Sequence, residues 1–176
     1  MTPKQVLYTI GHSTHRLDDF LAMVASFGIK TVADIRRFPG SRKFPQFDKE
    51  NLERTLLDHG IKYIHLDNLG GRRKADKNSK NTRWRNASFR AYADYMDTEA
   101  FETGIKELTK IAKESPTAIM CAEAVWWRCH RSLVADYLKV KGWCVRHILD
   151  ANKVKEHPFT SPARVVGDRL IYTDDT

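Results

Sequence analysis

From Cys121 to Arg131 the chain reads Cys-Ala-Glu-Ala-Val-Trp-Trp-Arg-Cys-His-Arg, a short stretch holding two thiols, a carboxylate, an imidazole and two guanidinium groups. A cysteine becomes a strong nucleophile once it loses its proton, and a cation or a helix start beside it makes that loss easier. Cys121 ends an apolar run, Thr117 to Cys121, that reads as a strand, and Cys129 or His130 opens a segment of helical period running to Lys141. A helix that begins there turns its free N–H groups and positive dipole end onto the site, which attracts anions. Cys121 first, and Cys129 second, are therefore candidate thiolate nucleophiles, with Glu123, His130 and His12 as base or orienting group. The competing interpretation is a small core cysteine in a strand, followed by an ordinary helix cap.

A zinc site is a third reading of the same residues. Cys121, Cys129, His130 and His12 offer thiolate and imidazole ligands. Their spacing is not that of a Cys-x2-Cys ribbon, and no second ligand pair is evident. No metal or other cofactor is therefore assigned.

The elements that must position these groups follow from periodicity. Strands are expected at Val6–Ile10, Thr31–Ile35, Ile61–Leu66, Thr117–Cys121 and Trp143–Leu149, with helices at Leu17–Phe27, Asp48–His59, Phe89–Met96, Glu99–Lys113 and Cys129–Lys141. Thr14 is a plausible cap for the first helix, Gly28 and Gly60 are helix stops, and a short last strand is expected at Arg169–Tyr172. Strands alternating with helices predict an α/β fold: a mostly parallel sheet of about five strands, helices on both faces, in a single domain over residues 1–176. The apolar fourth strand fits a central position.

In such a sheet, ligands bind beyond the carboxyl ends of the strands. Those ends carry His12 and Ser13, Asp34 and Arg36, Gly70 and Gly71 after Asp67, and Cys121 with Glu123. Ser13, Asp34, Arg36, Arg42, Gly70, Gly71 and Arg131 are accordingly expected to hold an anionic part of the ligand. His147 and His157 are weaker candidates for the same rim. Cys144 reads as an inert strand residue, and Trp126 and Trp127 as packing residues.

The net charge is +8, and the segment from Arg72 to Arg90 holds eight cations against the single acid Asp76, so nearly all the excess lies there. It falls in a loop expected at about 68–87, longer than compact domains usually tolerate without a function. Arg72, Arg73, Lys74, Arg83, Trp84 and Arg85 interleave cations with an aromatic ring, the pattern that stacks on bases and pairs with phosphates. Two partners suit this balance: a phosphorylated small molecule or a nucleic acid. No apolar run is long enough for a membrane span or resembles an export signal, and the three cysteines are an odd number, so reduced thiols in the cytoplasm are expected. The absence of Gly-x-Gly-x-x-Gly and of a Gly-Lys-Ser/Thr phosphate loop argues against the common nucleotide folds.

Tyr8-Thr-Ile-Gly-His-Ser13, Asp34-Ile-Arg36, Leu69-Gly70-Gly71, Cys121-Ala-Glu123 and Cys129-His130-Arg131, with His147-Ile-Leu and His157-Pro158 behind them, resemble the family known as domain of unknown function 488. The resemblance runs over nearly the whole chain. It implies an α/β domain whose motif cysteines suggest enzymatic activity, and it maps onto Gly11, His12, Ser13, Asp34, Arg36, Cys121, Glu123, Cys129, His130 and Arg131. It supplies a site and no reaction. The expected function is a thiol-dependent hydrolase or transferase acting on a phosphate-bearing or nucleic-acid substrate. The alternatives are a non-catalytic nucleic-acid-binding module using the basic loop, or a metal-binding protein using Cys121, Cys129 and His130.

Overall fold

An unbroken β-rich run forms the first strand, β1 (Val6–Gly11), and in the computed structural model, which describes residues 4–174, four more strands join it in parallel. These are β2 (Thr31–Asp34), β3 (Lys62–His65), β4 (Thr117–Cys121) and β5 (Cys144–Asp150). A sixth strand, β6 (Lys153–Glu156), pairs antiparallel with β5, and the sheet order is β3-β2-β4-β1-β5-β6. The sequence expectation of about five strands is thus met by the parallel set and exceeded by one. Lys-Val-Lys-Glu is exposed along its whole length. An edge strand of that kind buries no apolar row and shows no hydrophobic signal, while its charges keep the sheet edge from pairing with other chains. A separate hairpin joins β7 (Arg164–Val166) to β8 (Arg169–Ile171), the latter within the expected last strand.

Strand β4 lies between β1 and β2, and all five of its residues are buried. Its side chains alternate between the two faces, as a pleated strand requires. Ala118 and Met120 enter one core with Phe20 and Val24 of α1 (Leu17–Ser26) and Leu52 and Leu56 of α2 (Lys49–Asp58). Ile119 and Cys121 enter the other, with Tyr92 of α3 (Ala87–Tyr95), Phe101 and Leu108 of α4 (Glu99–Glu114), and Leu133 and Leu138 of α5 (Arg131–Val140). Each large apolar side chain removed from water contributes about 1.5–3 kcal/mol. Two filled faces fix β4 in the middle of the sheet, and so fix where Cys121 emerges.

Helix starts follow local chemistry. Asn86 accepts hydrogen bonds from the N–H groups of Ser88 and Phe89, and Thr98 accepts one from Phe101. The first helix departs from expectation: its N-cap is Arg16, without a side-chain cap, rather than Thr14. Ser13 takes a left-handed backbone conformation (φ 47°), and the turn it makes carries the chain past Thr14 before the helix begins. Asp48 stands at the N-cap of α2, but its Oδ1 accepts from the Ser41 N–H, outside the helix, so it ties the Pro39–Gly40 turn to the helix start. No described helix is long and apolar enough to cross a membrane.

Candidate functional site

The site is built where β1, β4 and β2 end side by side. Gly11 is opposite Cys121, and Asp34 is opposite Met120. Backbone pairing continues past the strands: the His12 N–H donates to Cys121 O and the Ser13 N–H to Ala122 O, both at 2.9 Å. The residues after Cys121 therefore fold back over the end of β1. The carbonyl of Glu123 comes so close to Gly11 that a β-carbon there would lie 1.7 Å from its oxygen.

Both thiols are buried and free, and both open on one cleft of about 340 Å³. The Cys129 Sγ receives the Arg131 backbone N–H at 3.5 Å, at the start of α5, and stands 3.4 Å from His130 Nδ1. His130 Nε2 lies 2.9 Å from the Ile35 carbonyl. A carbonyl can only accept, so Nε2 carries the proton and the neutral ring presents the lone pair of Nδ1 to the Cys129 thiol. The ring is held between Gly71, where a β-carbon would meet Nδ1 at 2.9 Å, and Tyr92, whose centroid is 5.0 Å away.

The two cysteines are driven apart in acidity. Burial raises the Cys129 thiol, but a hydrogen bond with Cys121, the Arg131 charge and the Arg131 N–H outweigh it, and the net shift is downward. Burial, followed by the hydrogen bond and charge of Cys129, holds Cys121 well above the ordinary thiol range. The Cys121 Sγ–H points at the Glu123 carbonyl at 3.8 Å, and Cys129 is the sulfur better placed to lose its proton.

Arg36 is the cation at the cleft floor. Its Nε and Nη2 bind the Asp34 carboxylate, the shortest contact being 2.7 Å, and its Nη1 donates to the Phe47 carbonyl and lies 3.4 Å from His12 Nε2. Tyr63 donates to the same carboxylate at 2.5 Å. Asp34 is therefore engaged in aiming Arg36. Both ring nitrogens of His12 are engaged as well, Nδ1 with the Ser13 carbonyl and Nε2 with Arg36. Burial, helped by the Arg36 charge, lowers its pKa to about 4, and the ring stacks on Phe47.

A second lobe of about 380 Å³, lined by His12, Ser13 and Ser41, shares Arg36, Phe38, Arg72 and Glu123 with the thiol lobe. Glu123 is exposed and lines both lobes. Arg37, Arg72 and Arg128 complete the basic rim. Phe38, 62% exposed, has the guanidinium groups of Arg37 and Arg72 at 5.6 and 5.8 Å from its ring centroid. Sequence reading missed Phe38, Ser88 and Tyr92 as cleft residues. Phe38 adjoins Pro39 and Gly40 and reads as loop, Ser88 falls just before the expected helix start at Phe89, and Tyr92 lies inside that helix and reads as core.

Several expected site residues stand elsewhere. Arg131 is 1% exposed, and its guanidinium donates to the carbonyls of Glu123 and Ala124 and to Thr9 Oγ1, so it clamps the loop from below. Gly70, expected to hold the anion, lies against Arg37, whose Cα a β-carbon there would meet at 2.7 Å. Arg42 is exposed beyond the Ser41 turn. His147 and His157 are each 1% exposed, on the far side of β1.

The basic loop is largely tied down. Trp84 is 8% exposed, packed edge-on to Phe89 and against Tyr172, which corrects the reading of it as a base-stacking platform. Arg73 donates to the carbonyls of Gly70 and Asp67 and covers the Tyr95 ring at 3.8 Å, and Arg83 donates to Pro162 O and pairs with Asp174. Arg72, Lys74 and Arg85 remain exposed, and of these Arg72 reaches the thiol cleft. Among the described residues no group of three or more His, Cys, Asp and Glu side chains is arranged to hold a metal ion, so the zinc reading gains no support from Cys121, Cys129 and His130.

Burial of neutral imidazoles has a measurable cost in acid. Burial lowers the pKa of His12, His130 and His147, the last to about 2. In the unfolded chain each titrates near its usual value of about 6.5. The folded pKa lies below the unfolded one, so below about pH 6.5 the unfolded chain binds more protons and stability falls. The expected slope is about 1.4 kcal/mol per pH unit for each histidine down to its folded pKa. Urea unfolding at a series of pH values should show this loss between about pH 6.5 and 4.5, and a flat profile would mean that these rings are not held neutral.

Residues 16–138 match the model of the domain of unknown function DUF488. No curated protein and no solved structure matches the chain. The matched span is more than half the chain and includes Asp34, Arg36, Cys121, Glu123, Cys129, His130 and Arg131, so the chain belongs to the DUF488 family.

Proposed function

We propose that the protein is a thiol-dependent enzyme in which Cys129 is the attacking group and an anionic, phosphate-bearing substrate lies in the arginine-rimmed cleft. One observation carries this reading: a single sulfur meets the Arg131 N–H at a helix start and the unprotonated Nδ1 of a histidine whose other nitrogen is locked by a carbonyl. A nucleophile within reach of a base, with the base oriented by a third group, is the arrangement that activates a cysteine. His130 takes the Cys129 proton. The thiolate then bonds to the electrophilic centre, and the leaving group departs with its bonding electrons. His130 passes that proton to the leaving group, and the Glu123 carboxylate, on the lining of both lobes, takes one from the water or acceptor that releases the product. Arg36, Arg37, Arg72 and Arg128 supply the charge that draws and orients the anion.

The test is alkylation of the folded protein by iodoacetamide over a range of pH, with each cysteine followed by mass spectrometry. Cys129 is expected to react with a midpoint below the ordinary thiol value of about 8.5, Cys121 only well above it, and pyrophosphate to slow the Cys129 reaction. Equal reaction of Cys121 and Cys129 at the ordinary value would remove the reading.

A further inference from the structure

Arg131 poses an electrostatic problem. It is the largest fully buried side chain, and among the described residues no carboxylate pairs with it. Its partners are two carbonyls and Thr9 Oγ1, and its Nε has none. A buried cation is normally paired or costly. The compensating carboxylate lies at the end of a chain of side chains. Thr9 Oγ1 is 2.5 Å from His147 Nδ1, His147 Nε2 is 2.7 Å from His157 Nδ1, and His157 Nε2 is 2.8 Å from Asp136 Oδ1. Asp136 is fully buried and also accepts from the Thr160 N–H and hydroxyl and from the Tyr172 hydroxyl. Trp126 stacks on His147 at 4.5 Å, nearly parallel, which fixes that ring's plane.

The ends of the chain set its direction once each imidazole carries a single N–H. A guanidinium only donates and a carboxylate only accepts. With one N–H on each imidazole, Arg131 donates to Thr9, Thr9 to His147, His147 to His157 and His157 to Asp136. Hydrogen bonds aligned in this way polarise one another. Two imidazoles and a hydroxyl keep the carboxylate away from Arg131 while still fixing the guanidinium. The Arg131 charge is felt at the Cys129 thiol, whose sulfur accepts the Arg131 backbone N–H and lies beside His130 Nδ1.

We infer that Thr9, His147, His157 and Asp136 are positioning residues for the thiol chemistry: they hold Arg131 under the Glu123–Ala124 loop with its charge unclaimed by a carboxylate, so that Cys129 becomes its counter-ion. This rests on the proposed role of Cys129. Burial and hydrogen bonding alone describe a rigid core. Beyond packing, the Thr9–Asp136 chain of hydrogen bonds sets the acidity of a sulfur it does not touch.

Thr9→Val keeps the shape of the side chain and removes its hydroxyl, whereas Thr9→Ser keeps the hydroxyl. Both are followed by pH-resolved alkylation of Cys129, with thermal melts as a check of folding. Thr9→Val is expected to raise the Cys129 midpoint by about one pH unit, roughly a tenfold slower reaction below the midpoint, and Thr9→Ser to match the natural protein. A folded Thr9→Val protein with the natural midpoint would overturn the inference, and a natural protein whose Cys129 shows an ordinary midpoint would overturn the proposed function itself. Nitrogen NMR of the natural protein decides the matter if Thr9→Val does not fold. His147 and His157 should both carry their proton on Nε2, and a proton on Nδ1 of either ring would break the chain's direction and the inference with it.

Discussion

Asp34→Ala is expected to destabilise the protein by about 3–5 kcal/mol, the usual cost of removing one partner from a buried ion pair. Asp34 is fully buried, and Arg36 is 7% exposed. The carboxylate accepts from Arg36 Nε, Nη2 and backbone N–H, and from the Tyr63 hydroxyl. Alanine would leave a buried guanidinium with the Phe47 carbonyl and a histidine nitrogen as its contacts, and would strand the Tyr63 hydroxyl. Asp34→Asn should cost less, because one oxygen remains to accept, although its amide group would meet Arg36 or Tyr63 donor to donor. Urea unfolding of the two variants checks the order. A loss below about 1 kcal/mol for Asp34→Ala would mean that Arg36 reaches water or another acceptor, which is the typical range for exposed pairs.

The second large effect is expected at Gly11. Its backbone has no positive φ, so an L-residue is acceptable there on conformational grounds. The objection is steric: a β-carbon would lie 1.7 Å from Glu123 O, 2.7 Å from Glu123 C and 3.0 Å from Arg131 Nη2. Two of these are backbone atoms held by strand pairing and by the Arg131 clamp, so they cannot yield as a flexible side chain would. Gly11→Ala should therefore lift the 122–124 loop from the end of β1, at a cost of about 3 kcal/mol or more, the upper end of the usual overpacking range. It should also raise the Cys129 alkylation midpoint, because the loop and Arg131 move together. Unfolding and alkylation measured on one preparation test both, and a variant within about 0.5 kcal/mol of the natural protein, the range of neutral surface changes, would show that the loop does not rest on Gly11.

Much of this architecture could be read from the order of residues. The five parallel strands and their helices follow from local periodicity, as does the burial of β4, because each depends on neighbours a few residues away. The rule that parallel strands end at a ligand crevice then brought His12, Asp34, Arg36, Cys121 and Glu123 to one rim without any knowledge of their contacts. Strand β6 was not legible, since an exposed charged edge carries no apolar signal.

What the order of residues determined, then, was that His12, Arg36, Cys121, Glu123, Cys129 and His130 come to one edge of the sheet. What each group does there was decided by tertiary structure alone. Arg131, one residue beyond the Cys-His pair, reads as an anion ligand and is instead a buried clamp joined to Thr9, 122 residues away. Trp84, set among arginines, reads as a stacking surface and is instead core packing against Tyr172. His147 and Thr9 are 138 residues apart and become partners only because β5 pairs with β1. The physical reason is common to all of them. The charge, tautomer and acidity of a side chain depend on which donors and acceptors replace its water, and those partners are supplied by strand order and burial rather than by neighbours along the chain.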